Sequence, residues 1–259
     1  MVTKVEPRML QAILFDVDGT LADTERDGHR VAFNLAFREA GLDWHWDIPT
    51  YGELLSVTGG KERIRHFIDT HAPTLPAVDD LAGWIAGLHK AKTAHYLELL
   101  QRGEIPLRPG VKRLIDEARD AGMRLAITTT TTPENVTGLL RATLGDDSPD
   151  WFEVIAAGDI VPKKKPAPDI YTWTLDKMDL APSETIALED SANGVRSACA
   201  AAIPVLVTIN DYTAGDDFDG AIAVLSQLGE PGAPAETLAG PAPDNGVVDL
   251  HYLAGLLDS

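Results

Sequence analysis

Six short apolar runs recur along this chain, and segments with helical periodicity separate them. The runs are rich in branched residues and cover 12–15, 124–128, 154–157, 185–188, 204–208 and 221–225. Apolar runs without alternation are typical of strands buried on both faces of a parallel sheet. Amphipathic patterns lie between the later runs, at about 110–121, 133–143, 167–178 and 191–202. This order predicts an α/β fold with a doubly wound parallel sheet of the Rossmann-like kind.

One long interval interrupts the alternation. From about residue 24 to residue 104 the sequence offers no strand candidate, and apolar residues recur there at three- and four-residue spacing. We therefore predict an inserted α-helical cap over residues 23–105 and an α/β core formed by residues 1–22 and 106–259. The Pro-, Gly- and Ala-rich segment 228–246 is expected to be a loop or linker, with a last helix after it.

The charge of the chain limits its partners. Forty acidic residues against 22 basic ones give a formal net charge of −18, which repels nucleic acids and anionic membranes. No stretch reaches the ~20 apolar residues of a membrane span, and the charged N-terminus differs from a secretory signal. We expect a cytoplasmic monomer that binds neither nucleic acid nor membrane. The single cysteine, Cys199, is expected to be buried.

The first strand candidate ends in two aspartates and a glycine. Asp16 and Asp18 are two residues apart, so their side chains are expected to emerge together at the carboxyl end of the strand, where open α/β sheets bind ligands. Two adjacent carboxylates repel each other unless a cation lies between them or one is protonated, and a hard cation such as Mg²⁺ suits oxygen ligands. The alternative is an ordinary Asp-Gly turn in solvent.

Three further strand candidates also end in polar residues. A threonine cluster beginning at Thr129 opens a helix, where hydroxyls and free amides can hold a phosphate or simply cap the helix. The proline after Lys165 restricts the backbone conformation of Lys165 and so the direction of its side chain. Glu189 and Asp190 are adjacent acids, which suit metal ligation better than capping. Together these groups supply what phosphoryl transfer requires.

The order of these signals resembles the haloacid dehalogenase superfamily, whose motifs match DVDGT, the threonine cluster, Lys165-Pro166 and Glu189-Asp190. The helical insertion resembles the cap of the β-phosphoglucomutase-like subgroup. Within it, the segments GLDWHWDIPTYGELLSVTGGKERIRHFI, AAGDIV, KKPAPDIY and ALEDSANG are most similar to the CbbY-like proteins. The resemblance implies a Mg²⁺-dependent sugar-phosphate phosphatase that forms an aspartyl-phosphate and converts xylulose 1,5-bisphosphate to xylulose 5-phosphate.

The resemblance also implies roles for individual residues. Asp16 resembles the nucleophile, and Asp18 resembles the general acid and base. Thr129 resembles the hydroxyl that binds the phosphoryl group, with Lys165 as its lysine partner. The implied metal ligands are Asp16, the backbone carbonyl of Asp18, Glu189 and Asp190. The substrate-binding residues are expected to be Glu25, Gly60, Lys61, Arg63, Lys92, Thr130, Ser191 and Asn193.

Several alternatives stay open from the sequence. A bisphosphate needs a second anion site, for which the cap offers cations such as Lys61 and Arg63, but these can equally be helix-surface charges paired with Glu62 and Asp69. A β-phosphoglucomutase-type mutase is the chief rival, because it shares the core chemistry. The mutase pattern places a histidine where this chain has Gly28. A ligand-sensing protein on an inactive scaffold is disfavoured because the motif residues are intact.

Overall fold

A computed structural model describes residues 10–57 and 59–258. The chain divides into two compact units, one formed by the residues up to Asp23 and from Pro106 onwards, the other by Thr24–Ile105. The predicted cap begins one residue before the second unit and ends at the same residue. No helix among the described residues has the length and apolar character that a membrane span needs.

The first unit contains a seven-stranded sheet in the order β3-β2-β1-β4-β5-β6-β7. The strands are β1 Ala12–Phe15, β2 Arg124–Thr128, β3 Val154–Ala156, β4 Thr185–Glu189, β5 Val205–Thr208, β6 Ala223–Leu225 and β7 Thr237–Ala239. Neighbours from β3 to β6 pair in parallel, whereas β7 pairs antiparallel with β6. The predicted α/β fold is confirmed. The expectation of a linker over 228–246 is wrong at β7, a short, exposed strand without an apolar pattern.

The helices flank this sheet in the first unit and build the second unit. They are α1 Arg30–Glu39, α2 Ile48–Leu54, α3 Gly60–His71, α4 Leu81–Gln101, α5 Val111–Asp120, α6 Pro133–Leu144, α7 Asp169–Met178, α8 Ala192–Ala200 and α9 Leu250–Leu257. In the first unit, a hydrophobic core joins the strands to the inner faces of α7 and α8, through residues such as Leu14, Tyr171, Val195 and Val207. The six parallel strands therefore bring their carboxyl ends to one edge of the sheet.

Helices α1 to α4 form the second unit, and a π-helical turn over Thr24–His29 leads into α1. Its core is aromatic: Trp46 is fully buried and its ring packs against Phe33, Phe37 and Phe67. The Asn34 side chain fixes the Trp46 backbone, because its amide donates to the Trp46 carbonyl and accepts from the Trp46 N–H, both at 2.8 Å. The tryptophan at this position therefore has a packing role.

Candidate active site

Asp16 and Asp18 follow the central strand directly. Asp16 is the first residue after β1, and its backbone amide donates to the carbonyl of Leu188 on β4 at 3.0 Å. Its side chain is buried, whereas Asp18 is half-buried. The chain then turns at Gly19, where φ is +86° and a Cβ would lie 2.2 Å from Asp190 Oδ2. Both the backbone conformation and the close approach of Asp190 require glycine there.

A buried ammonium joins two of the predicted carboxylates. Lys165 Nζ donates to Asp16 Oδ1 at 2.7 Å, to Glu189 Oε1 at 2.6 Å and to the Thr128 carbonyl at 2.8 Å. Burial acts to lower the pKa of Lys165, but the charges of Asp16 and Glu189 outweigh it and hold that pKa well above its ordinary value. Lys165 is therefore a fixed cation at neutral pH, with its N–H groups directed by three acceptors.

Three buried carboxylates form a cluster, and two of them bind this cation. Asp16, Glu189 and Asp190 each offer one oxygen, and these oxygens lie within 4.8 Å of one another. Burial raises the pKa of Glu189 to about 7 against the opposing charge of Lys165. Burial and the charge of Asp16 raise the pKa of Asp190 well above its ordinary value. The cluster holds more negative charge than one lysine balances, and oxygen ligands of this kind suit a hard divalent cation.

The two oxygens of Glu189 have different surroundings. Oε1 accepts from Lys165 and also from the Tyr171 hydroxyl, at 2.5 Å. Oε2 is buried and has no hydrogen-bond partner among the described residues. A buried carboxylate oxygen without a partner is costly. The unpaired oxygen and the all-carboxylate donor set therefore fit a bound divalent metal ion.

The threonines of the cluster have different structural roles. Thr132 caps α6, because its side chain accepts from the Asn135 amide. Thr129 is buried directly after β2, its amide donates to the Ala156 carbonyl at 2.9 Å, and its hydroxyl accepts from the Thr131 amide at 3.3 Å. Thr130 is exposed at the same strand end. Thr132 therefore accounts for the cap of α6. Thr129 and Thr130 lie at the edge of the sheet that carries Asp16.

Ser191 and Asn193 lie at the start of α8. The Ser191 hydroxyl accepts from the Gly194 amide at 3.2 Å and caps this helix. Asn193 is exposed, and its Oδ1 lies 3.5 Å from Arg196 NH1. Both contacts stay within one helix, so a substrate role for these two residues rests on the sequence resemblance.

Two residues that sequence reasoning missed support the carboxylates. The Asn210 amide donates to Asp190 Oδ2 at 2.7 Å, and the Tyr171 hydroxyl donates to Glu189. Asn210 follows β5 closely, so the rule that polar residues after strands meet at one edge could have found it. Tyr171 lies on the buried face of α7 and gave no signal beyond that of a core aromatic.

In the second unit, Glu25 and Arg63 share a tyrosine. The Tyr51 hydroxyl donates to Glu25 Oε2 and accepts from Arg63 NH1 at 2.7 Å, and NH1 lies 3.7 Å from the same Glu25 oxygen. Asp69 pairs with Arg65 at 2.9 Å, whereas Arg63 contacts Tyr51 and Glu25 and is not a charge on the solvated surface of its helix. Arg63 is buried, and its Nε has no hydrogen-bond partner within the described part of the chain.

The remaining predicted cap residues differ in exposure. Lys92 is buried with Nζ 2.9 Å from His29 Nδ1. Burial, aided by the charge of Lys92, holds the pKa of His29 well below its ordinary value, so the neutral imidazole accepts from the ammonium. Lys61 is exposed in the first turn of α3, directly after Gly60. A Cβ at Gly60 would lie 2.4 Å from the His89 ring.

The amino-acid sequence is similar to those of known proteins. Residues 10–202 match the family model of the haloacid dehalogenase-like hydrolases. The CbbY protein of Cupriavidus necator is 49% identical over 225 residues, which cover 87% of this chain and 88% of that protein.

Solved structures give the same relationship. The crystal structure of CbbY from Rhodobacter sphaeroides in complex with phosphate has a TM-score of 0.73 and 47% identity, over 85% of this chain and 95% of that one. A mutant of that protein in complex with xylulose-(1,5)bisphosphate matches with the same TM-score, identity and coverage. This chain belongs to the haloacid dehalogenase-like hydrolases and, within them, to the CbbY family.

Proposed function

We propose that this hydrolase is a Mg²⁺-dependent phosphatase that removes one phosphate from xylulose 1,5-bisphosphate through an aspartyl-phosphate on Asp16. One observation carries the proposal: Asp16 is bound by the buried Lys165, and its carboxylate lies within 4.8 Å of ligand oxygens from Glu189 and Asp190. A nucleophilic carboxylate, a lysine and a metal-binding acid pair in one place are the groups that phosphoryl transfer through an aspartyl-phosphate requires.

Mg²⁺ would be held by Asp16, Glu189 and Asp190, together with the backbone carbonyl of Asp18. The unpaired Oε2 of Glu189 and the raised pKa of Asp190 support this assignment. When bound, Mg²⁺ neutralises the oxygens of the transferring phosphoryl group. The Asn210 amide keeps Asp190 in a fixed orientation, which matters because such outer contacts orient metal ligands.

The chain's own residues carry the proton and phosphoryl steps. An Asp16 oxygen attacks phosphorus, and the bond from phosphorus to the sugar oxygen breaks as Asp18 gives its proton to that oxygen. Water then gives a proton to Asp18 and attacks phosphorus, which releases inorganic phosphate and restores Asp16. Lys165, the Thr129 hydroxyl and the Thr130 amide bind the phosphoryl oxygens.

The substrate assignment rests on the relatives and on cations of the second unit. The R. sphaeroides relative was crystallised with xylulose-(1,5)bisphosphate. A bisphosphate needs a second anion site, and the buried Arg63 offers an Nε without a partner among the described residues. We assign the rest of the substrate contacts to Glu25, Gly60, Lys61, Lys92, Ser191 and Asn193.

The mutase alternative has less support. At Gly28, where the mutase pattern has a histidine, a Cβ would lie 2.6 Å from the Ile105 side chain and 2.7 Å from the Tyr96 ring. The neighbouring His29 contacts Lys92, and its ring packs at a tilt against Tyr96 with ring centroids 4.0 Å apart. A second sugar hydroxyl therefore has no histidine at the expected position to activate it.

A substrate panel tests the function. The purified protein with Mg²⁺ is assayed on sugar monophosphates and bisphosphates, and both free phosphate and isomerised sugar phosphate are measured. We expect phosphate release with the highest kcat/KM on xylulose 1,5-bisphosphate. Conversion of β-glucose 1-phosphate to glucose 6-phosphate without phosphate release would establish the mutase instead. A higher kcat/KM on a monophosphate would overturn the bisphosphate assignment.

A further inference from the structure

A buried guanidinium lies in the first unit outside the carboxylate cluster. Arg108 belongs to the segment that returns the chain from the second unit, and its side chain is 7% exposed. Its Nε lies 3.3 Å from Asp23 Oδ1. The terminal nitrogens donate to a set of main-chain carbonyls and one hydroxyl, namely the carbonyls of Gly19, Thr208, Ile209 and Ser226 and the Thr208 hydroxyl. An arginine with this number of acceptors connects segments that are remote in sequence.

The first of these segments carries Asp18. The turn is closed on itself, because the Gly19 amide donates to the Ala22 carbonyl at 2.8 Å and the Leu21 amide donates to the Val17 carbonyl at 2.9 Å. The Gly19 carbonyl, one residue beyond Asp18, instead accepts from Arg108. Arg108 thus ties the Asp18 turn to another part of the sheet.

The second segment lies at the end of β5. Arg108 NH1 lies 3.0 Å from both the carbonyl and the hydroxyl oxygen of Thr208, and NH2 donates to the Ile209 carbonyl. The next residue, Asn210, donates to Asp190. One guanidinium therefore sets the distance between the turn that carries Asp18 and the loop that orients Asp190.

We propose that Arg108 is a positioning residue for proton transfer by Asp18. It acts by fixing the Gly19 carbonyl, and hence the turn that carries the Asp18 carboxyl group, against the carboxyl ends of β5 and β6. The planar fork of N–H donors can reach these acceptors at once, whereas the compact ammonium of a lysine cannot. The inference rests on the proposed role of Asp18 as general acid.

The test compares leaving groups. Arg108→Lys keeps the charge and removes the fork, and its kcat is measured on xylulose 1,5-bisphosphate and on p-nitrophenyl phosphate. The sugar alkoxide needs a proton in order to leave, and p-nitrophenolate does not. Because general acid catalysis is worth about 10²- to 10⁴-fold, we expect the variant to lose at least about tenfold more activity on the sugar substrate. An equal loss on both substrates would overturn the positioning role.

A matched arginine provides the control. The Arg113 guanidinium donates to the carbonyls of Gly229 at 3.2 Å and Val248 at 2.7 Å, in the C-terminal part of the first unit. Arg113→Lys removes the same kind of contact, so any loss it causes is expected to be equal on the two substrates. A selective loss with Arg113→Lys would show that leaving-group dependence follows from general weakening of the fold and would overturn the proposal.

Two further variants show whether a negative result counts against the role of Arg108 alone or also against the role of Asp18. Asp18→Ala must show the selective loss itself; an equal loss would disprove the general-acid role and the inference with it. A selective loss with Asp18→Ala and none with Arg108→Lys overturns the role of Arg108 alone. If Arg108→Lys does not fold by circular dichroism, Thr208→Val removes one of its acceptors, and a smaller selective loss is expected. An equal loss with Thr208→Val would then count against the proposal.

Discussion

A Cβ at Gly194 would lie 1.8 Å from Oε2 of Glu189. The first turn of α8 therefore packs directly against the carboxylate oxygen that has no hydrogen-bond partner within the described residues. Glycine at this position is needed for space rather than for backbone freedom, because its φ is not in the left-handed region. Oε2 of Glu189 thus occupies space that a side chain at position 194 would fill, whereas Oε1 is bound by Lys165 and Tyr171.

Gly194→Ala should displace the Glu189 carboxylate. Because changes to groups around metal ligands typically cost 10- to 100-fold in affinity, we expect Mg²⁺ to bind at least about tenfold more weakly, measured by isothermal titration calorimetry. Gly87→Ala is the matched control, since nothing lies within 4 Å of a Cβ at that helical position. It should leave Mg²⁺ binding intact and stabilise α4 by up to about 1 kcal/mol. An unchanged Mg²⁺ affinity in Gly194→Ala would refute the role of Glu189.

Asp16→Asn should abolish turnover and preserve the fold. The amide is a poor nucleophile and a weaker metal ligand, so we expect a loss on the order of 10⁴-fold or more in kcat. Circular dichroism and a thermal melt report on the fold, and phosphate release reports on turnover. Activity of more than a few per cent of the wild type in folded protein would exclude Asp16 as the nucleophile.

The stabilising effect of Mg²⁺ should increase with pH. The pKa of Glu189 is raised to about 7 in the folded chain, against about 4.3 for an unperturbed glutamate. Protonation of Glu189 therefore stabilises the metal-free fold in full below about pH 4, and this contribution to the free energy of unfolding is lost as the pH rises through 7. Metal binding needs the ionised carboxylates, so the Mg²⁺-induced rise in Tm should be larger at about pH 8 than at about pH 6.

Glu189→Gln provides the control for this pH dependence. Glutamine does not titrate, so the part of the dependence that belongs to position 189 should disappear and the two Tm shifts should become more similar. A Tm shift that is equal at both pH values in the wild type would show that the carboxylate cluster is already ionised at the lower pH.

Lys61→Ala should weaken a bisphosphate far more than a monophosphate. Only the bisphosphate has a second phosphate for this lysine, and a charge-assisted contact is worth roughly 1.5 to 3 kcal/mol, or about 10- to 150-fold in kcat/KM. Lys112→Ala, which removes an exposed lysine of α5 paired with Asp116, should change neither substrate. Equal losses on both substrates would exclude Lys61 from the second anion site and leave that site to Arg63 or Lys92.

The strands could be predicted from the sequence where their burial requires a run of apolar residues. The strands from β1 to β6 lie within the apolar runs that predicted them, except that β4 extends one residue further to Glu189, because strands buried on both faces are apolar along most of their length. β7 escaped prediction because an exposed edge strand has no such requirement. Cys199 was predicted to be buried and is exposed. This prediction is wrong because the small residues from Ser197 to Ala200 lie on both the buried and the exposed face of α8, whereas only Val195 and Ala198, one helical turn apart, are among its core residues.

The candidate site was predictable only in part. Asp16 follows β1, Glu189 ends β4 with Asp190 directly after it, and Lys165 lies in the segment after β3, and the topology of a parallel sheet brings such residues together. The contacts of Arg108 and Tyr171 could not be read from the sequence. One is an arginine among many in an acidic chain, and the other is an aromatic residue on an apolar helix face. Their roles depend on distances that only the folded backbone defines.

The central position of β1 also has a consequence for synthesis. β1 lies between β2 and β4, yet β4 is made only after more than half of the chain has followed β1. A nascent chain that has not reached Thr185 therefore holds β1 with one hydrogen-bonding edge open. Such an edge is a template for pairing with other chains. We expect ribosome-bound fragments that end before Thr185 to aggregate when released, and chains that include Glu189 to close that edge with their own strand.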